Sequence, residues 1–306
     1  MKYVLVTGAN GFIGQHLCQS LLSSGLKLKK HVRTKNSLDA CEQYECDLES
    51  NEFSEKALEN IDVIYHLAGL AHDTNGLSFS EDQYRSINID ATLRIATIAA
   101  KQKVKHFIFV SSVKAGGKPI GGSCINEDKQ SDPKGIYAIT KREAEIKLIE
   151  LGRLSDMCIS IVRPSLVYGP NVGGNLKLML SSIDNGWFPP IPDTGNQRSM
   201  IHVDDLVQAL LFVMNNKDAY GEIFIATDGV PHSSRELYEE MCKLLGKKIP
   251  SWSIPMFFFN ILAKMSLNMK HKVSKLLDDE CYSSEKLESI GFKAKRTLGD
   301  MNETNF

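Results

Sequence analysis

Tyr137 and Lys141 stand four residues apart in the segment Tyr137-Ala138-Ile139-Thr140-Lys141, a spacing that on a helix puts a phenol and an ammonium on one face. A free tyrosine titrates at about pH 10, and a neighbouring lysine charge favours its phenolate. Such a pair can take a proton from a hydroxyl and return it. Ser112 ends the apolar run Phe107-Ile108-Phe109-Val110-Ser111, where a parallel strand would deliver it to the carboxyl edge of a sheet. A hydroxyl there can hydrogen-bond the oxygen on which the tyrosine acts. The Tyr-to-Lys spacing alone is a common accident of an exposed helix face, so position carries the argument.

A second constellation lies at the start of the chain, in Tyr3-Val4-Leu5-Val6-Thr7-Gly8-Ala9-Asn10-Gly11-Phe12-Ile13-Gly14. Gly8 permits a tight turn, Gly11 lets backbone N–H groups approach a pyrophosphate, and Gly14 lets a helix pack closely on the strand. A strand before this turn and the stripe Phe12, Ile13, Leu17, Leu21 after it favour a dinucleotide site over a mere bend. The second strand is expected to end near His31-Val32-Arg33-Thr34-Lys35. NAD enzymes usually offer a carboxylate there, whereas Arg33 and Lys35 suit a 2′-phosphate, which tilts the reading from NAD toward NADP.

The elements that must hold these groups alternate strand and helix. Tyr3 to Val6, Ile61 to Leu67, Phe107 to Val110 and Ile159 to Val162 read as strands, and Ile87, Leu93, Ile95, Ala96 and Ala99 as a helical stripe. The expected fold is α/β, a doubly wound parallel-sheet Rossmann domain with a smaller mixed α/β substrate-binding lobe. Glycine and proline become dense from Tyr168-Gly169-Pro170, while Asp204 to Met214 reads as a returning helix and Ile223 to Thr227 as a further strand. The expected division is 1–167 plus about 201–227 for the dinucleotide domain, and 168–200 plus about 228–306 for the lobe.

A formal net charge of -1 without a long single-sign block gives no reason to expect nucleic acid. Cys18, Cys41, Cys46, Cys124, Cys158, Cys242 and Cys281 show no metal-type spacing and read as reduced thiols, so no metal is expected. With only a short apolar run at the N-terminus and no span-length tract, the expectation is a cytoplasmic protein without a membrane span. Ile254 to Ala263, followed by Lys264, Lys270, His271, Lys272 and Lys275, reads as a helix packing over the lobe, with a basic amphipathic membrane or partner surface as the alternative.

The TGxxGxxG form of the glycine turn, with Ser112 placed 25 residues before Tyr137 and Lys141 after it, resembles the extended short-chain dehydrogenases/reductases, in the NAD-dependent epimerase/dehydratase branch. The likeness runs to Tyr282-Ser283-Ser284-Glu285-Lys286-Leu287 and Ile290-Gly291-Phe292. It implies that Ser112 orients a substrate oxygen, Tyr137 transfers the proton, and Lys141 holds a nicotinamide ribose and biases the phenol. It further implies cofactor contacts from Gly8, Asn10, Gly11, Phe12, Ile13, Gly14, Arg33, Lys35, Asp47, Leu48, Leu67, Ala68, Gly69, Asn88, Ser111 and Pro164. Asn175, Leu176 and Arg198 resemble the residues that grip a nucleotide-sugar substrate. Asn88 alone would read as a polar residue on a solvated helix face; the register of the set places it inside.

The resemblance implies chemistry at C4 of a nucleotide sugar. Dehydration needs an acidic pair after the active-site hydroxyl, and Val113 and Lys114 stand there. Arg33 with Lys35, and the likeness of Ser111-Ser112-Val113-Lys114 and Asp228-Gly229 to bacterial reductases of surface-polysaccharide precursors, favour a reductase of a UDP-linked 4-keto (N-acetyl)hexose using NADPH. A UDP-hexose or UDP-N-acetylhexosamine 4-epimerase with tightly held NAD is the alternative, and a non-catalytic dinucleotide sensor a remote one. A homodimer through helices around Ala91 to Ala99 and Lys141 to Leu151 is also implied.

Overall fold

Near-continuous apolar runs make the strands of the computed structural model, which describes residues 2–50, 53–71, 79–119 and 124–302. β1 (Tyr3–Thr7) leads through α1 (Phe12–Ser23) to β2 (Lys27–Val32) and β3 (Glu42–Glu45). β4 (Val63–His66) is followed by α2 (Glu81–Arg85), a π-helical turn (Ser86–Ala91) and α3 (Thr92–Lys101), then by β5 (His106–Val110) and α4 (Ile136–Arg153). β6 (Cys158–Pro164), β7 (Leu166–Tyr168), α5 (Gly174–Asp184), β8 (Arg198–His202), α6 (Val203–Asn215) and β9 (Ile223–Ala226) come next. The chain then runs through β10 (Pro231–His232), α7 (Ser234–Leu244), α8 (Met256–Met265), α9 (Leu267–Leu277) and α10 (Glu285–Ser289).

Seven strands form one sheet in the order β3-β2-β1-β4-β5-β6-β9, every neighbouring pair parallel. Alternation along each strand sorts its side chains to two faces. Val4, Val6, Tyr65 and Ile108 pack with Leu17, Leu21, Leu206 and Leu210 from α1 and α6. Leu5, Ile64, Phe107 and Phe109 pack on the opposite face with Ile95, Ala99, Ala144 and Leu148 from α3 and α4. Helices on both faces explain why VIYH and HFIFV are buried along their whole length. The strand order reverses between β1 and β4, which opens a crevice at their carboxyl ends, the place where open α/β sheets bind ligands.

A three-stranded mixed sheet, β10-β8-β7, stands beside the main one. Tyr168, Leu176, Met179, Ile183, Met200, Leu237 and Met241 close a separate core around it. β9 pairs with β6 from Ile161↔Ile223 to Pro164↔Ala226, so the chain re-enters the main sheet as its pattern of β-branched residues implied.

Two expectations need correction. Cys124 and Cys281, 157 residues apart, form a disulfide with Cα atoms 4.4 Å apart. Their neighbours bring them together, since Ile125 N donates to Cys281 O (3.1 Å) and Ser283 N to Ile125 O (2.9 Å), a pairing with no local sequence signature. The other five cysteines are free thiols. The aromatic and basic segment is not one helix packed down over the lobe but two. Ser266, extended at φ -160° and ψ 158°, interrupts it and caps α9 through Met269 N (3.1 Å). Among the described residues no helix is long and apolar enough to cross a membrane.

Titrating thiols in non-reducing denaturant is expected to find five per chain rather than seven. Cys281→Ser should lower the unfolding free energy by about 2–4 kcal/mol in denaturant melts, because the bond closes a long loop of the unfolded chain.

Candidate active site

Gly8 turns the chain at φ 69°, and a Cβ there would lie 2.8 Å from Ala68 N, at the end of β4. A Cβ on Gly14 would come within 2.2 Å of Gly8 O. Both glycines are therefore fixed by backbone packing: one lets the turn lie against β4, the other lets α1 sit on the turn. Gly11 is the N-cap of α1 and supplies no side-chain cap, which leaves the first N–H groups of that helix, from Phe12, Ile13 and Gly14, available to an anion. Asn10 lies at the rim of a depression of about 330 Å³ that is also lined by Gln15, Lys30, Asn36 and Asp39.

Across the crevice Leu67 and Ala68 are half-buried and Gly69 is exposed. A Cβ on Gly69 would meet Asn88 Oδ1 at 2.8 Å and Lys141 Nζ at 3.4 Å, so glycine keeps this surface open. Asn88, 1% exposed, belongs to the π-helical turn, which shifts the register of the helix there and turns the amide inward. Its Oδ1 accepts from Leu70 N (2.8 Å), and its Nδ2 donates to Leu70 O and Thr140 Oγ1 (both 3.1 Å). One side chain thus ties the loop after β4 to α4.

α4 carries the phenol and the ammonium one turn apart, as their spacing required. Tyr137 is half-buried and hydrogen-bonded to the Ser112 side chain; burial pushes its pKa up, and that bond opposes the rise. Lys141 Nζ donates to Val110 O (3.1 Å) and sits 4.5 Å above the Phe109 ring. Burial pushes Lys141 down to about 8, with the Glu145 carboxylate working against the shift. Ser111 Oγ is buried and, among the described residues, without a hydrogen-bond partner. Pro164 closes β6 opposite Ala226. The glycine cradle, the uncapped helix start, the open face at Gly69 and the orphaned Ser111 hydroxyl fit an extended dinucleotide lying across the carboxyl ends of β1, β4 and β5.

The remaining positions are less gathered. Arg33 and Lys35 are exposed past β2, and Lys35 N donates to Glu45 Oε2 (3.2 Å). Asp47 is exposed and bonds the Glu49 N–H (3.1 Å), while Leu48 is buried with its carbonyl held by Arg94 (3.1 Å). Asn175 is exposed on the first turn of α5; Leu176 is packed into the core of the small lobe. Arg198 pairs with Glu280 (3.6 Å) and donates to Lys275 O.

Three features escaped the sequence reading. His66 bonds Thr7 Oγ1 (2.8 Å) and Thr92 Oγ1 (2.9 Å), locking the ends of β1 and β4 to α3, and burial holds it well below the usual histidine range. Lys114, two residues beyond Ser112, pairs with Glu280. Burial pushes Lys114 down, while the burial that would raise Glu280 is outweighed by Lys114 and Arg198. Asp39 accepts from Lys30 (2.6 Å) at the rim of the depression beside Asn10. None has a motif; the His66 and Lys114 contacts join segments distant in sequence, the Lys30–Asp39 pair closes the loop after β2, and only the apolar setting of Thr7 and His66 hinted at buried polar partners. Among the described residues no group of three His, Cys, Asp or Glu is placed to hold a metal ion.

The family model described as NAD dependent epimerase/dehydratase family matches residues 4–226, spanning the glycine turn, Ser112, Tyr137 and Lys141. The chain belongs to that family. It is 30% identical to a UDP-glucose 4-epimerase of Vibrio cholerae, over 97% of this chain and 92% of the relative. It is 26% identical to an N-acetyl-alpha-D-glucosaminyl-diphospho-ditrans,octacis-undecaprenol 4-epimerase of Escherichia coli O157:H7, over 96% and 91%. The fold of this family member is that of a UDP-glucuronic acid 4-epimerase of Bacillus cereus solved with UDP-glucuronic acid and NAD, at a TM-score of 0.79 and 22% identity, over 99% and 97% of the two chains.

Replacing Lys141 by Met is expected to raise the melting temperature at pH 7. The unfolded chain keeps this proton up to about 10.5 whereas the folded enzyme releases it at about 8, so burial of the cation costs stability throughout the range below 8. As pH climbs from about 8 to 10.5 that cost disappears and the two melting curves should converge. A variant less stable than the parent at pH 7 would contradict the burial argument.

Proposed function

We propose that this enzyme is a 4-epimerase of a sugar carried on a diphosphate, with Tyr137 as its acid/base and NAD as its resident dinucleotide. The observation that carries the reading is the Ser112–Tyr137 hydrogen bond beside buried Lys141, at the carboxyl end of β5. When bound, the nicotinamide supplies the hydride exchange at the sugar carbon. Ser112 Oγ holds the reacting hydroxyl, Tyr137 Oη takes its proton and later restores it, and Lys141 supplies the positive charge that lowers the phenol once the crevice is filled.

Lys114 and Arg198 share one carboxylate, Glu280, so this largely buried cluster carries a surplus positive charge. A diphosphate is the natural counter-charge at such a place, since an uncompensated buried cation is costly. The full-length likeness to two 4-epimerases, one named for a nucleotide sugar and one for a polyprenol-linked sugar, favours epimerisation and fits a diphosphate as the shared handle. NAD is favoured by the family description and by the structural neighbour solved with NAD; the charges around the end of β2 are mixed, Asp39 being paired with Lys30 and Glu45 standing beside Arg33 and Lys35.

Arg33 and Lys35 support a second reading, a 4-keto reductase working with NADPH. In either case α3 and α4 offer a dimer face; Ile146, 60% exposed on α4, is the side chain that a partner would cover.

Denaturing freshly purified enzyme and weighing the released nucleotide by mass spectrometry should yield near-stoichiometric NAD, with UDP-hexose turned over without added cofactor. Little bound nucleotide and exchangeable NADPH binding would overturn the epimerase in favour of the reductase. Tyr137→Phe is expected to cut kcat by about 100-fold or more while dinucleotide affinity stays within about twofold. Unchanged turnover would remove Tyr137 from the acid/base role.

A further inference from the structure

α8 is an inverted helix. Its apolar side chains face solvent: Phe257 is 65% exposed, Phe258 54%, Ile261 43% and Met265 70%, while Phe259 is buried. These four exposed positions fall within about 100° of the helix circumference, with Lys264 at the edge of the arc. A helix serving only as a cover would show the opposite pattern, and contiguous exposed aromatic surface of this kind marks an interaction site.

The surrounding charge identifies the partner. From Met241 to Leu277 the sequence contains seven lysines, Lys243, Lys247, Lys248, Lys264, Lys270, Lys272 and Lys275, and no Asp or Glu, in a chain whose net charge is -1. Lys264, Lys270, Lys272 and Lys275 are exposed, and among the described residues none of the four forms an ion pair. Of the next carboxylates, Asp278 and Glu280 are engaged by Lys118 and Lys114, and Asp279 accepts from Gln197 N (2.8 Å). Both tryptophans of the chain belong to the same end of the molecule. Trp252, 62% exposed, precedes α8; Trp187, 86% exposed, follows α5 in a segment held to this region by Ile254 N donating to Pro190 O (3.1 Å) and by the Lys247–Asp184 pair (3.2 Å).

Exposed Trp and Phe among unpaired lysines match the interface of a bilayer with anionic headgroups: rings enter the headgroup boundary and ammonium groups meet phosphates. We infer that the α8–α9 pair docks this enzyme on the surface of an anionic phospholipid membrane without crossing it. A second copy of the chain is the poorer occupant, because a two-fold contact would bring this lysine cluster against itself. The inference stands apart from the reaction at Tyr137 and holds for either reading of it.

Vesicle flotation of the full chain decides the matter. The enzyme is expected to float with equimolar phosphatidylglycerol–phosphatidylcholine vesicles and not with phosphatidylcholine alone, and to be released as salt rises to about 0.5 M. Phe257→Ser with Phe258→Ser, and separately Lys270→Glu with Lys272→Glu, should each reduce vesicle partition by about tenfold or more, with turnover and melting temperature unchanged. A parent enzyme that stays with the aqueous fraction at low salt overturns the inference, as does flotation unaffected by both variants. Sedimentation showing a self-association that the serine variant abolishes, with no vesicle binding, would assign the face to a second copy instead.

Discussion

The architecture depends on how closely two backbones approach at the seam between β1 and β4. Gly8 sits where a Cβ would lie 2.8 Å from Ala68 N, and Gly14 where one would lie 2.2 Å from Gly8 O. With those atoms absent, the first turn, the start of α1 and the end of β4 share one small volume. The Thr7–His66–Thr92 chain of hydrogen bonds then fixes the seam to α3. Larger residues would force α1 away from the sheet and take its uncapped N-terminus with it, so the position of that helix end and the packing are one constraint.

Asn88 carries the second constraint. Helix and loop could slide past each other at the mouth of the crevice, but one buried amide satisfies the Leu70 backbone and the Thr140 hydroxyl together. The π-helical turn is the conformational cost of aiming that amide inward, and Thr140 lies between Tyr137 and Lys141 on α4. The position of Tyr137 and Lys141 is in this way referred back to β4, on whose far side the glycine turn lies. Burial of the Lys141 ammonium is itself unfavourable for folding, and the Glu145 carboxylate offsets only part of that cost.

Much of the main sheet was legible because its cause is local. Runs such as Val63–His66 and His106–Val110 are buried on both faces, and burial on both faces leaves an unbroken apolar signature. Tyr137 and Lys141 were legible for a related reason: their relation is internal to one helix. Relations between distant segments left no trace. The Cys124–Cys281 bond arises from a short pairing between Ile125 and Tyr282, and Glu280 in Asp278-Asp279-Glu280 looks like any exposed acidic run until Lys114 and Arg198 are seen to share it. The segment from Ile254 onward misled because an apolar tract ordinarily means burial, whereas here the tract is exposed and its basic neighbours lack partners.

The charged clusters of the molecule are electrostatically different in kind. Inside, Arg163 and Glu145 neutralise each other at 2.8 Å and 2.5 Å in full burial, a pair that fixes β6 to α4. In the cluster of Lys114, Arg198 and Glu280, two cations divide one carboxylate, and a charge imbalance in a place largely closed to water is tolerable only if an anion enters it or solvent reaches it. On the outer face the lysines of α8 and α9 are exposed and, among the described residues, form no ion pair, so they cost little and their field is screened over about a Debye length. Cationic side chains thus sit in three settings that differ in access to water: a fully buried ion pair, a largely buried cluster with one carboxylate for two cations, and an exposed face without ion pairs.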